Sequence, residues 1–215
     1  MGMETMTEMP RAKGTGKRRL GEPTLTAADW AEAALQLIAE KGLGALTVGT
    51  LAGRLGVTKG SFYWHFPGRA ELLSAALERW EQRTTSEAVR ALDTVPDYRQ
   101  RLELILGAAT QPPRARSLYA ALAEAAEDPI VRRALQRVAV ARIEYLETCY
   151  RHVGYTAGAA RAQAVFAYAA YRGLLQLAHE APASLPSKWA EYSALIRRTF
   201  VPAVGEPVDP KHHPK

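Results

Sequence analysis

A disulfide framework is excluded at the outset, because the chain holds a single cysteine, Cys149, and one thiol cannot close an intrachain bridge. That suits a reducing compartment, and a cytoplasmic location is the expectation. Long apolar runs are missing too. The longest, such as Ala162 to Tyr171, fall far short of the roughly 20 residues that cross a bilayer, and they contain Gln and Tyr. The first residues lack the apolar core of a signal peptide, so no membrane partner is expected. Methionine is confined to positions 1, 3, 6 and 9, some of which could serve as alternative starts. Strand-like alternation is absent, which leaves an all-α chain of about nine helices. No glycine-rich phosphate loop and no H-E-x-x-H occur. Acidic residues are missing from one window in particular. From Lys41 through Ala70 there are four basic residues (Lys41, Arg54, Lys59, Arg69) and no Asp or Glu, in a chain with 22 acidic residues elsewhere. A surface that meets a polyanion needs such a window.

The rest of the composition is that of an ordinary folded protein. The 215 residues are 47% hydrophobic and 23% charged, enough for a sizeable core in one domain or two modest ones. Net charge is +6 with a pI of about 9.5. That favours an anionic partner, although a mild excess of Arg and Lys also occurs in proteins that bind no nucleic acid.

The acid-free window contains TVGTLAGRLGVTKGSFYWHF, Thr47 to Phe66. It reads as two short helices joined by a glycine turn. Thr47 is a good N-cap. Val48, Leu51, Ala52 and Leu55 share one helix face. Gly56 tolerates the left-handed backbone of a helix stop. Thr58 is placed to cap a second helix, anchored by Phe62 and Phe66. Small residue, turn glycine and core anchor fall at helix-turn-helix spacing, and the second helix can then enter a DNA major groove. Its exposed face carries Thr58, Lys59, Ser61, Tyr63 and His65, all hydrogen-bond donors. Gly60 lets backbone approach a phosphate closely, and Lys59 can reach a phosphate or a guanine edge. Thr47 and Arg69 open the flanking helices, where N–H groups and a side chain can hold phosphates together. Trp64 is expected to pack inward, against helix 1 or 4.

The run V-T-K-G-S-F-Y-W-H-F-P-G-R-A-E-L-L, residues 57 to 73, with the T-x-x-x-L-A-x-x-L-G-V phrase before it, closely resembles the N-terminal DNA-binding domain of the TetR family of bacterial transcription regulators. The resemblance covers about residues 25 to 80. It implies that Tyr63 and His65 contact phosphates, and that helix 4 runs continuously from the DNA-binding domain into a regulatory domain.

Around this head the chain divides into four stretches. Residues 1–24 are expected to be a disordered basic arm. Within it, residues 10–24 hold five basic residues, one acidic residue, three glycines and two prolines, a composition without an apolar face. Lys17, Arg18 and Arg19 are candidates for phosphate or minor-groove contacts, against the plainer reading of a solubilising tail. Residues 25–68 form the DNA-binding domain. Thr26 and Asp29 make a capping-box-like start, and Trp30, Ala33, Ala34, Leu37 and Ile38 form a core stripe ended by Gly42 and Gly44. Residues 69–202 form a helical regulatory and dimerisation domain. Helix 4, from about Arg69 to Leu92, carries Leu72, Leu73, Ala76, Leu77 and Trp80, with Gly68 as a weak cap. Further helices are expected over Tyr98–Thr110, Ala115–Ala126, Pro129–His152, Ala159–Ala181 and Ser187–Val201. Residues 203–215 are expected to be a disordered tail.

The resemblance also implies a homodimer, in which the Ala159–Ala181 and Ser187–Val201 helices pack with their twins as a four-helix bundle. Small residues such as Ala162, Ala169 and Gly173 allow close approach, and Trp189, Tyr192, Ile196 and Phe200 line the last helix. A small-molecule pocket is implied as well. Its candidates are Trp80, Leu106, Thr110, Tyr119, Leu122, Tyr145, Tyr168 and Tyr171, aromatics and hydroxyls suited to a hydrophobic or aromatic effector. Each is equally an ordinary core position. No cofactor and no metal are expected, and no enzymatic role. Cys149, His152 and Glu147 cluster on one helix but lack further ligands or an orienting partner. The expectation is a ligand-responsive repressor, acting as a homodimer on a palindromic operator and released by an inducer. A regulator whose DNA binding is promoted by its ligand, or an activator, stands as the alternative, and behind it a helical enzyme or a protein-interaction module.

Overall fold

The computed structural model describes residues 25–109, 118–185 and 189–203. Lys17, Arg18, Arg19 and Thr110 lie outside them, as do the arm at 1–24 and residues 204–215 of the tail. Among the described residues the chain is all-helical, with no strand.

Helix α1 (Ala27–Lys41) begins on a true capping box. The Asp29 N–H donates to Thr26 Oγ1, and the Thr26 N–H donates back to Asp29 Oδ2 at 2.7 Å. These bonds hold the Asp29 carboxyl below the usual carboxylate range. The helix stops at Gly42, whose φ of 77° is a left-handed value that favours glycine. One 3₁₀ turn (Leu43–Ala45) leads to α2 (Val48–Arg54), where Thr47 Oγ1 accepts from the Thr50 N–H at 3.1 Å. Gly56, at φ 67°, turns the chain into α3 (Lys59–Tyr63).

Helix α4 (Arg69–Glu81) continues through a π turn (Gln82–Ser86) into α5 (Glu87–Asp93). With that run counted as one, the described residues hold nine helices. Then come α6 (Tyr98–Ala109), α7 (Leu118–Glu124), α8 (Pro129–His152), α9 (Ala157–Glu180) and α10 (Trp189–Phe200). Helix α8 opens as the sequence predicts, with Asp128 accepting from the N–H groups of Ile130 and Val131 and Pro129 in the first turn. Helix α9 starts two residues earlier than expected. Thr156 is its cap, and Gly158 is an ordinary first-turn residue rather than the stop preceding it. The preceding stop is Gly154, at φ 106°.

Two apolar clusters hold these helices. In the first, Trp30, Leu37 and Ile38 of α1 meet Leu51, Phe62, Phe66 and the α4 stripe, all buried. The cluster continues through Trp80, Tyr119 and Leu122 to Val131, Ala134 and Val138 of α8. The expected boundary at residues 68 and 69 therefore falls inside one continuous core. The second cluster joins Leu102 and Leu106 of α6 to Leu146 and Tyr150 of α8, Ala160, Ala164 and Tyr168 of α9, and Ile196 and Phe200 of α10.

Candidate functional site

At the N-terminal end, α1 presents α3. Phe62 is fully buried and meets Trp30 edge to face. The residues on either side of Phe62 must then point outward. Thr58, Lys59, Gly60 and Tyr63 are exposed, and Ser61 and His65 are half-buried. Thr58 sits at the N-cap position of α3 but makes no capping bond. Lys59 reaches back over α2: a Cβ built on Gly49 would lie 3.2 Å from Lys59 Cε, 3.6 Å from its Nζ and 3.9 Å from Thr47 Oγ1. Lys59 and Thr47 are thus brought together over the first turn of α2.

Trp64 corrects the sequence reading. It is 89% exposed and packs on neither α1 nor α4. Two residues past Phe62 lies the opposite side of a helix, and Phe62 and Phe66 have taken the inner side. The indole therefore stands out beside Tyr63, which is itself 61% exposed.

The positive charge is unevenly available. Arg54 donates to both carboxylate oxygens of Glu40, at 2.6 and 2.7 Å, which holds Glu40 below the usual carboxylate range. Arg69 donates from Nε to the Leu46 carbonyl at 2.8 Å and from Nη2 to the Leu43 carbonyl at 3.3 Å. It ties the start of α4 to the turn before α2. Lys41 and Lys59 form no ion pair among the described residues.

A second feature lies where α5, α6, α8 and α9 converge. A cavity of about 450 Å³ is lined by Thr84 and Thr85 of the π turn, Ala88, Val89, Ala91 and Leu92 of α5, Leu104, Ile105 and Leu106 of α6, Arg142, Tyr145 and Leu146 of α8, and Ala167, Tyr168 and Tyr171 of α9. Four of the expected pocket residues, Leu106, Tyr145, Tyr168 and Tyr171, meet there. Trp80, Tyr119 and Leu122 do not. They are buried in the first cluster, where the Trp80 and Tyr119 rings lie 6.0 Å apart. The Tyr145 hydroxyl donates to Asp93 at 3.1 Å and accepts from Arg101 at 3.3 Å. Burial pushes its pKa up to about 12. Arg101 also holds the Asp93 carboxylate at 2.8 Å and the Val95 carbonyl at 2.6 Å, and so closes the α5–α6 corner.

Arg142 and the two threonines were not singled out in the sequence. Arg142 donates from Nε to Thr85 Oγ1 at 3.2 Å and from Nη2 to the Thr84 carbonyl at 3.1 Å. A π turn departs from the regular backbone ladder, and Arg142 ties this one to α8.

The rival cluster on α8 is structural. Cys149 is fully buried, and burial pushes its pKa up to about 11. His152 Nδ1 donates to the Thr148 carbonyl at 2.8 Å, and the ring stacks on Tyr98. Glu147 accepts from Arg161 at 3.2 Å. Among the described residues no group of three or more His, Cys, Asp or Glu is placed to hold a metal. No helix among them is long and apolar enough to cross a membrane.

Residues 31–76 match the family model described as "Bacterial regulatory proteins, tetR family". Over 46 residues, 21% of this chain, the sequence is 41% identical to two proteins of Pseudomonas putida, the HTH-type transcriptional regulator SrpR and the uncharacterized HTH-type transcriptional regulator TtgW. The match spans only 22% and 34% of those two proteins. The fold extends the likeness to the rest of the chain. Escherichia coli NemR in its reduced form superposes with a TM-score of 0.69 at 21% identity, over 83% of this chain and 98% of that one. A TetR transcriptional regulator from Legionella pneumophila gives 0.67 at 15% identity, over 83% and 99%. A transcriptional regulator from Saccharomonospora viridis, in complex with choline, gives 0.62 at 20% identity, over 80% and 93%. Such regulators are not enzymes. Residues 31–76 are thus those of a tetR-family bacterial regulatory domain, and the described chain as a whole shares the helical fold of the regulators it superposes on.

Proposed function

We propose that the chain is a DNA-binding transcriptional repressor that acts as a homodimer on a palindromic operator and is released by a small molecule held in the α5–α9 cavity. One observation carries this reading. A single helical run, Arg69–Asp93, joins the two sites. Its first half packs on α1 through Leu72, Leu73 and Leu77, and its second half forms a wall of the cavity through Ala88, Val89 and Leu92. A ligand that prefers one arrangement of this run shifts the population of head orientations. The solved complex with choline supports a small-molecule site on this fold.

On the DNA side, Lys59, Thr58, Ser61, Tyr63, His65 and the exposed Trp64 form the reading face, with Thr47 and Gly60 at the backbone. Arg69 acts through the turn it holds. One recognition helix covers few base pairs, whereas a dimer places two about 34–36 Å apart in successive major grooves. An exposed stripe on α9 supports the dimer: Ala162, Val165, Phe166, Ala169, Gly173 and Leu177; Leu195 of α10 is exposed as well. The Ile196–Phe200 side of α10 is in the chain's own core, so the opposite side of α10 is the one available to a twin. A regulator of this kind works in the cytoplasm.

The test is DNA binding at stated salt, with duplex from the protein's own upstream region. Lys59→Ala with Tyr63→Ala should abolish the specific complex while the dimer persists. Unchanged binding would show that α3 is not the reading helix. Adding effector to the complex gives the sign: release supports a repressor, and tighter binding supports the ligand-promoted alternative.

A further inference from the structure

The cavity wall is chemically one-sided. Among the described residues of its lining, only Arg142 carries a formal charge, and no Asp or Glu is among them. Arg101, at the α5–α6 corner, holds the Asp93 carboxylate at 2.8 Å, Arg137 holds Glu81 at 2.8 Å, and Arg172, one residue past Tyr171, lies over the Tyr119 ring, 4.2 Å from its centre. Arg142 forms no ion pair among the described residues. Its partners there are neutral oxygens, the Thr84 carbonyl and Thr85 Oγ1. Those two bonds use two of the five N–H donors of a guanidinium, and Nη1 is in neither. Tyr171, on the facing wall, has no hydrogen-bond partner for its hydroxyl among the described residues. The remaining wall is aliphatic and aromatic. A half-buried cation facing an apolar cavity, without a counter-charge, is a poor surface for water and a worse one for another cation. It is a good surface for a carboxylate-like group, which a guanidinium receives at two points.

We infer that the cavity receives an apolar molecule bearing one anionic group, with the anion on Arg142 and the apolar body against Val89, Leu92, Leu104 and Leu146. This rests on the reading of the cavity as the effector site, and it adds the chemical class. It also gives the ligand a route to the DNA-binding end. The guanidinium that takes the anion is the one that holds the π turn, so occupancy bears directly on the joint between α4 and α5.

The experiment is calorimetric titration of the full chain with charge-matched series on two apolar bodies. One series is 2-naphthoate, 2-naphthalenemethanol and 2-naphthylmethylammonium. The other is decanoate, 1-decanol and decylammonium, with choline as a further cation. In at least one series the carboxylate should bind about tenfold or more tighter than both its neutral and its cationic counterpart, as a charge-assisted bond demands. Equal or tighter binding of the alcohol or the ammonium, or binding by no member, overturns the inference. The wild-type chain decides this without any variant. Arg142→Gln should cut the carboxylate preference to within about threefold of the alcohol. If that variant does not fold, Arg142→Lys should lower the preference several-fold, because an ammonium lacks the planar fork. A preference that survives the usable variant unchanged removes Arg142 from the site. A separate arm adds the tightest carboxylate to the operator complex. Carboxylate binding that leaves DNA affinity unchanged upholds the ligand class and overturns the effector reading.

Discussion

The rings of Trp30 and Phe62 meet edge to face, with centroids 5.4 Å apart and planes at 76°. This contact fixes the reading helix. Helix α3 is five residues long, too short to be stable alone, and Phe62 is its one fully buried anchor. Phe62→Ala should lower unfolding free energy by about 3–5 kcal/mol, measured by urea denaturation, and should abolish specific DNA binding. Trp30→Phe should cost far less, about 1 kcal/mol. The buried Trp30 Nε1 has no acceptor among the described residues, so losing that N–H offsets part of the lost packing. An equally large loss from Trp30→Phe would mean that the indole has an unseen partner.

Charge on the reading head is set by internal pairing as much as by composition. Lys59→Ala should reduce the salt slope of DNA binding by about one. Glu40→Gln should act in the opposite direction. It releases Arg54 from its two-point contact, so non-specific affinity and the salt slope should both rise. Trp64→Ala should weaken binding with the slope unchanged, since an indole neutralises no phosphate. Fluorescence anisotropy at several salt concentrations separates the three.

The difference between reading the sequence and seeing the fold is physical at each point. Thr26, Asp29, Thr47, Gly56 and the start at Pro129 were legible because caps and stops act within three or four residues. The buried stripes of α1 and α4 were legible because burial repeats at helical period. Arg69 looked like a free cation because its partners, Leu43 and Leu46, lie more than twenty residues back. Trp64 looked like core because it is large and apolar, and its sideways neighbour Phe62 decided otherwise. The π turn over Gln82–Ser86 left no mark, since QRTTS carries neither glycine nor proline. The cavity was half-found. Leu106, Tyr145, Tyr168 and Tyr171 bring hydroxyls or bulk that suggest a pocket, whereas Arg142 reads as one more surface arginine of a long helix.

Acid should weaken the start of α1. The Asp29 carboxylate accepts from both the backbone N–H and the hydroxyl of Thr26 at 2.7 Å, and these bonds lower its pKa in the folded chain. A depressed folded pKa contributes stability that is present above the unfolded carboxylate value, near 4, and lost as pH falls through the folded one. Asp29→Ala should therefore be less stable than wild type at neutral pH. The gap should narrow as pH drops below about 4. Paired thermal melts across pH check this, and a constant gap would assign the cap to Thr26 alone.

Cys149 should be chemically silent in the folded protein. The thiol is fully buried, and its pKa of about 11 leaves almost no thiolate at neutral pH. Iodoacetamide at pH 8 should label it only after unfolding in urea, as read by intact mass. Peroxide should leave DNA affinity unchanged, and Cys149→Ala should bind DNA as wild type does. Rapid labelling of the native chain would require α8 to open locally.

Gly173 separates a dimer surface from ordinary helix exterior. A Cβ at this position meets nothing within 4 Å inside the chain. Gly173→Leu therefore places its Cβ in open space within a protomer, and it should add helix propensity of roughly 1 kcal/mol. Any loss of association must come from outside the chain. If the small residues Ala162, Ala169 and Gly173 let a twin α9 approach closely, a leucine side chain blocks that approach. The variant should then shift from dimer toward monomer by sedimentation while melting no earlier as a folded protomer, and operator affinity should fall with it. A dimer of wild-type strength would move the interface to another face of the bundle. The exposed Phe166, Val165 and Leu177 would then need a different partner.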